Sequence, residues 1–200
     1  VSEQRISLVV NPAANSGAAG TVAARVADRL RRAAEVRVLA GNSEAESVAL
    51  LAGAAEQADA VIVCGGDGIA HLAANALAEG EVPLGIVPAG SGNDAATALG
   101  MPADPVRAAD ALLAALAAGS VARIDLGHCD IGVGHDDIGV EHDDIGVEHG
   151  EIGEPATTGR WWLTMCYGGF DSRVNERANR MRWPAGPRRY DLAIGLELLR

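Results

Sequence analysis

Three short segments combine glycine with residues able to handle phosphate: NPAANSG (11–17), GGDG (65–68) and PAGSGND (88–94). Glycine permits turns with positive φ and lets an anion approach main-chain N–H groups closely. Asp67 and Asp94 are the carboxylates of these loops, suited to holding Mg²⁺ or accepting a proton from a hydroxyl. The 200 residues contain no lysine, and all 16 basic residues are arginine. That excludes a Walker loop, which ends in Gly-Lys-Ser/Thr. Any phosphate must be neutralised by backbone amides, helix N-termini, arginine and a divalent metal.

Each loop also has a plainer reading. A glycine pair after a strand is the composition of a tight turn. Asp67, Asn93 and Asp94 are each of a type that caps helix N-termini. What favours a ligand site is that all three loops follow strand-like runs and should converge on one crevice. The stretch from Gly90 to Ala95 also fits the dinucleotide fingerprint G-x-G-x-x-A. The acidic residue that should close a second strand about 20 residues on is missing, because 105–118 is helical in pattern.

The elements behind the loops alternate. ISLVV (6–10), VRVLA (36–40), AVIVC (60–64) and LGIVPAG (84–90) read as strands, with ARIDLG (122–127) as a closing strand. Helical patterns cover 19–34, 44–58, 69–80, 93–99 and 105–118. Strands without polar alternation, separated by helices, predict a parallel sheet covered on both faces, hence a three-layer α/β domain over 1–127. Only six residues are aromatic, so its core must be finely packed aliphatic side chains.

At 128 the composition changes. HCDIGVG, HDDIGVE, HDDIGVE and HGEIGEP are four copies of a seven-residue unit. A glycine in every copy and too few apolar positions rule out a coiled-coil seam. The units read as an acidic repeat loop over 128–159, although His128, His135, His142 and His149 with their carboxylates are reasonable Zn²⁺ or Ni²⁺ chemistry. WWLTMCYGGF (161–170) then reads as a strand, 172–182 as a helix, and 188–200 as a further helix ending inside its pattern. The expectation is a truncated second domain over 160–200.

The formal charge of −11 argues against nucleic acid as a partner. Nine of the 27 acids lie in 128–154, and elsewhere eighteen acids face sixteen arginines, a net of −2. The acidity therefore belongs to the repeat, and the rest of the surface remains open to an anionic partner. Cys64, Cys129 and Cys166 are odd in number and widely spaced, which argues against a disulfide framework and for a reducing cytoplasm. No apolar run approaches the ~20 residues of a membrane span, and no secretory signal is apparent.

VVNPAANSG, CGGDGIAHLAANAL and PLGIVPAGSGNDAATALGMP resemble, in order and spacing, the catalytic domain of diacylglycerol kinases and related lipid kinases. GGFDSRVNERANRMRWPAGPRRYDLAI looks like the entry to that family's second, β-rich domain, so the resemblance omits only about 128–159. GGDG alone is shared with NAD kinases and phosphofructokinase-like folds. Followed 25 residues later by GSGND, with the Asn-Pro loop upstream, it is far more specific. The resemblance implies Mg²⁺-dependent transfer of the ATP γ-phosphate to a lipid hydroxyl, in a cleft between two domains. It implies that Asn11, Gly65, Gly66 and Gly68 line the phosphates and that Asp67 is the essential carboxylate and a Mg²⁺ ligand. Gly90, Ser91, Gly92 and Asn93 would form the second nucleotide loop, with Asp94 close by. NAD kinase is the nearest enzyme rival, and a catalytically impaired nucleotide- or lipid-binding protein is a further reading.

Two departures stand out. Family members commonly read GGDGT followed by Asn-Glu or His-Glu, whereas Ile69 replaces the threonine and Leu72 the glutamate. The family's later acidic motif also lies beyond residue 200, so the 200-residue piece is expected to bind nucleotide weakly and turn over little. His71, on the helix behind the loop, reads as a packing or surface histidine. Arg173, Arg177, Arg180, Arg182, Arg188 and Arg189 form a basic cluster fit for an anionic membrane at its inner face, or simply a solvated helical face. Trp161 and Trp162 are adjacent on a strand and should point to opposite faces.

Overall fold

The computed structural model describes residues 4–10, 18–131, 158–164, 170–181, 183–184 and 188–199. Four parallel strands form the main sheet: β1 (Arg5–Val10), β2 (Glu35–Ala40), β3 (Ala60–Gly65) and β4 (Leu84–Pro88), in the order β2-β1-β3-β4. Helices α1 (Ala18–Leu30), α2 (Glu44–Gln57), α3 (Asp67–Leu77), α4 (Asp94–Ala98) and α5 (Pro105–Ala117) connect and cover them.

Strand alternation sorts the core into two layers. Ile6, Leu8 and Val10 of β1, Ile62 and Cys64 of β3, and Val87 of β4 pack with buried residues of α1 and α5. Val9, Val61, Val63 and Ile86 face the other way, against Leu51 of α2 and Ala70, Ala73 and Leu77 of α3. Both faces of β3 are buried, so its residues are apolar without alternation, as a doubly covered parallel strand requires. Ala23 and Ala27 of α1 and Ala108 and Ala109 of α5 are buried where these helices meet, and their small side chains permit a close approach. Alanine thus does the packing that aromatic residues do elsewhere. Burial pushes the Cys64 thiol up to about 11.

Local chemistry sets two of the helix starts. The Ser43 hydroxyl accepts the Glu46 N–H at 3.1 Å, and the Glu46 carboxylate accepts the Asn42 N–H at 2.9 Å, a reciprocal cap at α2. Asp104 caps α5 by accepting the Arg107 N–H at 2.9 Å, with Pro105 at the first helical position.

Beyond α5 the structure departs from expectation. Residues 121–126 form no strand, and Val121 and Ile124 are exposed. The strand begins at Gly127: β5 (Gly127–Ile131) pairs antiparallel with β6 (Thr158–Trp162), with Ile131 opposite Thr158 and Gly127 opposite Trp162. The ladder therefore starts in the polar stretch expected to be loop, and it ends at Trp162, since β5 offers no partner beyond Gly127. Residues 163–164 form a bend, and 165–169 lie outside the described residues. Most of the repeat, including His135, His142 and His149, lies outside them too. The expected helices follow as α6 (Phe170–Arg180) and α7 (Arg188–Leu198), which pack through Val174, Ala178 and Ala193.

Candidate functional site

The strand order reverses between β1 and β3, and ligands of open α/β sheets bind outside the carboxyl ends of the strands at such a point. Register brings those ends abreast, with Val10 beside Cys64 and Gly65 beside Pro88. GGDG leaves β3 at this rim and PAGSGND leaves β4. The loop after β1, with Asn11, lies outside the described residues.

The two described loops are locked together. Asp67 opens α3, yet its carboxylate reaches across to α4: Oδ2 accepts the Asn93 N–H and Oδ1 the Ala95 N–H, each at 2.9 Å. Asn93 precedes α4 in the left-handed conformation, φ 70°, and its own side chain caps nothing there. Instead its carboxamide folds back, Oδ1 accepting the Gly90 N–H at 2.8 Å and Nδ2 donating to the Gly90 carbonyl at 3.0 Å. Local bonds of this kind are what make Asn tolerable at positive φ.

Glycine is required where the loops touch. A Cβ on Gly90 would lie 2.4 Å from the Gly66 Cα, and one on Gly92 would lie 2.7 Å from the Asp67 Oδ2. The Ala89 N–H donates to the Gly65 carbonyl at 2.8 Å, extending the β3–β4 pairing into the rim. Gly65, Gly66, Asp67, Gly68, Gly90, Ser91, Gly92, Asn93 and Asp94 are thus brought together. Gly68, Ser91, Gly92 and Asp94 are exposed, while Gly66, Asp67, Gly90 and Asn93 are half-buried beneath them.

The two helix N-termini at this rim are therefore not equivalent. At α4 the protein's own carboxylate already sits there. At α3 the cap residue is Gly66, without a side-chain cap, so its first-turn N–H groups are the ones open to an anion. Sequence suggested Asp67, Asn93 or Asp94 as caps of their own helices; the capping in fact crosses from one loop to the other. Ile69, in the usual threonine position, is buried with its Cγ2 beneath Gly65, and Leu72 packs against the same apolar cluster.

Among the described residues no group of three or more His, Cys, Asp or Glu forms a metal cage. Mg²⁺ held chiefly by nucleotide phosphates needs only one or two carboxylates. Asp67, which keeps lone pairs beyond its two amide bonds, and the exposed Asp94 fit that donor set.

A feature not anticipated from the sequence lies two turns along α3. The Asn75 Nδ2 donates to the Trp161 carbonyl at 2.7 Å, and its Oδ1 accepts the Trp161 N–H at 2.9 Å. His71 lies beside it, its carbonyl accepting from Nδ2 at 3.0 Å. Both tryptophans are half-buried: Trp161 meets the His128 ring at a tilt of 54° with centroids 4.4 Å apart, and Trp162 covers Gly127.

The arginine cluster is largely engaged. Arg177 binds the buried Glu197 carboxylate at 2.5 Å, Arg173 lies 3.4 Å from the same group, and Arg180 pairs with Glu176 at 2.5 Å. Arg189 sits over the Tyr190 ring at 5.2 Å. Arg182 lies outside the described residues, and Arg188 is exposed. Among the described residues no helix is long and apolar enough to cross a membrane.

A parallel α/β domain with two interlocked glycine loops at its switch point is the architecture of a phosphate-binding domain. A family model, the diacylglycerol kinase catalytic domain, matches residues 5–129. The chain belongs to that family. It is 38% identical over 201 residues to proteins named diacylglycerol kinase from two strains of Mycobacterium tuberculosis, CDC 1551 / Oshkosh and ATCC 25618 / H37Rv. Those alignments cover 98% of this chain and 56% of each relative, so the chain spans about half the length of the curated relatives it matches. It also resembles a crystal structure of a diacylglycerol kinase from Bacillus anthracis str. Sterne, with a TM-score of 0.52 and 28% identity over 57% of this chain and 43% of the other.

Proposed function

We propose that this chain is the nucleotide-binding part of an ATP-dependent lipid kinase that transfers the γ-phosphate to a lipid hydroxyl, with diacylglycerol as acceptor and phosphatidic acid as product. The observation that carries the reading is the Asp67 clamp, which holds GGDG and GSGND as one rigid rim in a chain of this family. In phosphoryl transfer, positioning and charge neutralisation supply most of the acceleration. The α3 N-terminus, with Gly65, Gly66 and Gly68, would cradle phosphate oxygens together with Asn11, while Ser91 and Gly92 contact the nucleotide from the second loop. Asp67 would act first by fixing that rim, and Asp94 is the exposed carboxylate able to take the acceptor's proton. Mg²⁺, when bound with ATP through Asp67 and Asp94, would neutralise phosphate charge that no lysine can meet.

Residues 1–127 would form the kinase domain, 128–159 a repeat-bearing linker, and 160–200 the beginning of the second domain. We place the protein in the cytoplasm, at the inner membrane face when it meets its lipid. The arginine cluster is a weaker membrane contact than its composition suggests, because Arg173, Arg177 and Arg180 are paired internally. The burial of Ile69 and the packing of Leu72 favour a second reading, a nucleotide- or lipid-binding protein of impaired turnover. NAD kinase activity ranks behind both, since the relatives are named for diacylglycerol. Labelled ATP offered with diacylglycerol, sphingosine and NAD in parallel separates these readings. Label on diacylglycerol supports the first, nucleotide binding without transfer the second, and label on NAD alone refutes both.

A further inference from the structure

Asp67, His71 and Asn75 are spaced four apart on α3 and so share one face of the helix, running from the phosphate rim toward β6. At the far end the Asn75 carboxamide pairs with both the N–H and the carbonyl of Trp161, as a neighbouring strand's peptide group would. This bond pair spans 86 residues of sequence and is half-buried. A paired amide is directional, and losing either half strands a peptide group that cannot readily turn to water. Apolar contact reinforces it, since Leu163, just past β6, packs against the cluster that contains Ile69, Ala70 and Ala73.

We propose that Asn75 is a positioning residue for phosphoryl transfer. Its carboxamide fixes α3, which carries Asp67 and Gly68 on its first turn, to the strand leading into residues 160–200, and so sets the spacing between the nucleotide rim and the portion of the polypeptide that presents the acceptor. The inference rests on the lipid kinase reading. Asn75 touches neither substrate. It acts through α3 and β6, so its loss should weaken turnover with lipid while leaving nucleotide affinity nearly intact.

The test uses the full-length polypeptide with Asn75→Ala, Asn75→Asp and Asn75→Gln. Asn75→Asp keeps the shape and the acceptor for the Trp161 N–H but loses the donor to the Trp161 carbonyl. The expected result is a tenfold or greater fall in kcat for diacylglycerol phosphorylation in Asn75→Ala and Asn75→Asp. Affinity for a fluorescent ATP analogue should stay within threefold of the parent. Should Asn75→Ala fail to fold, Asn75→Asp carries the same comparison. Parental kcat in a folded Asn75→Asp or Asn75→Ala overturns the proposal. So does a loss of ATP affinity as large as the loss of kcat, which would mark a general structural defect. If the parent phosphorylates no lipid, the kinase reading fails separately. The clasp is then judged by hydrogen exchange: unchanged protection of the Trp161 amide and of the first turn of α3 in Asn75→Ala would refute it.

Discussion

Asp67 caps a helix that is not its own: its carboxylate accepts the Asn93 N–H at 2.9 Å, from a loop 26 residues further along the chain. One side chain thereby joins the turn after β3 to the turn after β4, and its other oxygen takes the Ala95 N–H. A carboxylate with two backbone donors is held in one orientation, and so are the loops it bridges.

Replacing Asp67 by Asn should therefore damage structure as well as chemistry. The amide supplies one acceptor oxygen and turns its NH₂ toward the second backbone N–H. We expect a loss of about 1–3 kcal/mol in urea unfolding, together with at least a tenfold weaker ATP-analogue affinity. Parental stability would show that the two amide bonds do not hold the rim.

Gly90→Ala and Gly68→Ala separate loop architecture from ligand contact. At Gly90 a Cβ meets the Gly66 backbone at 2.4 Å, so the two loops must part, whereas at Gly68 nothing lies within 4 Å. Calorimetry should show a lowered Tm for Gly90→Ala and a change of no more than ~0.5 kcal/mol for Gly68→Ala, a surface site. Weak nucleotide binding in a fully stable Gly68→Ala would locate the phosphate at the α3 N-terminus.

The cysteines supply a test of the core. Because burial raises the Cys64 thiol from its ordinary 9.0 to about 11, the folded protein should leave it unalkylated by iodoacetamide at pH 8, while the half-exposed Cys129 reacts. The folded state also holds that proton longer than the unfolded chain does. The contribution is complete below pH 9 and disappears between about 9 and 11, so unfolding should grow easier as pH rises through that window. Peptide mapping after alkylation and melting curves across that range are the checks.

Glu197 is the counterion of α6 and α7. Its side chain is 4% exposed and meets both Arg173 and Arg177. Neither arginine is fully buried, so losing the charge they share costs less than breaking a fully buried ion pair would. Glu197→Gln should accordingly loosen this helix pair, read as faster proteolytic cleavage within 170–199. It should also free two arginines, strengthening binding to vesicles containing phosphatidylserine. Unchanged cleavage and unchanged vesicle binding would contradict that pairing.

How much was legible beforehand follows from which interactions are local. The four parallel strands came from runs such as AVIVC (60–64), whose doubly buried character leaves an unbroken apolar signature, and the five helices from the alanine-rich stretches between them. The loops of the site could be found because glycine, Asp67 and Asn93 are unusual residue types in that order. Their mutual arrangement could not, because the partners of Asp67 are backbone N–H groups, which every residue owns. The clasp between Asn75 and Trp161 was hidden for the same reason. The strand at 122–127 failed because alternation without a partner builds no ladder; β5 starts where β6 can meet it, beyond a long insertion. The pairing of Arg173 and Arg177 was hidden because their partner Glu197 lies in the next helix.

The central claim is phosphoryl transfer to a lipid across the rim that Asp67 organises. Its most direct test follows γ-labelled ATP, with Mg²⁺, in full-length protein and its Asp67→Asn variant, with diacylglycerol in mixed micelles and NAD in a parallel reaction. Label in phosphatidic acid, reduced at least a hundredfold by Asp67→Asn, is the predicted result. Label appearing on NAD alone, or on lipid at an equal rate in the variant, would contradict it.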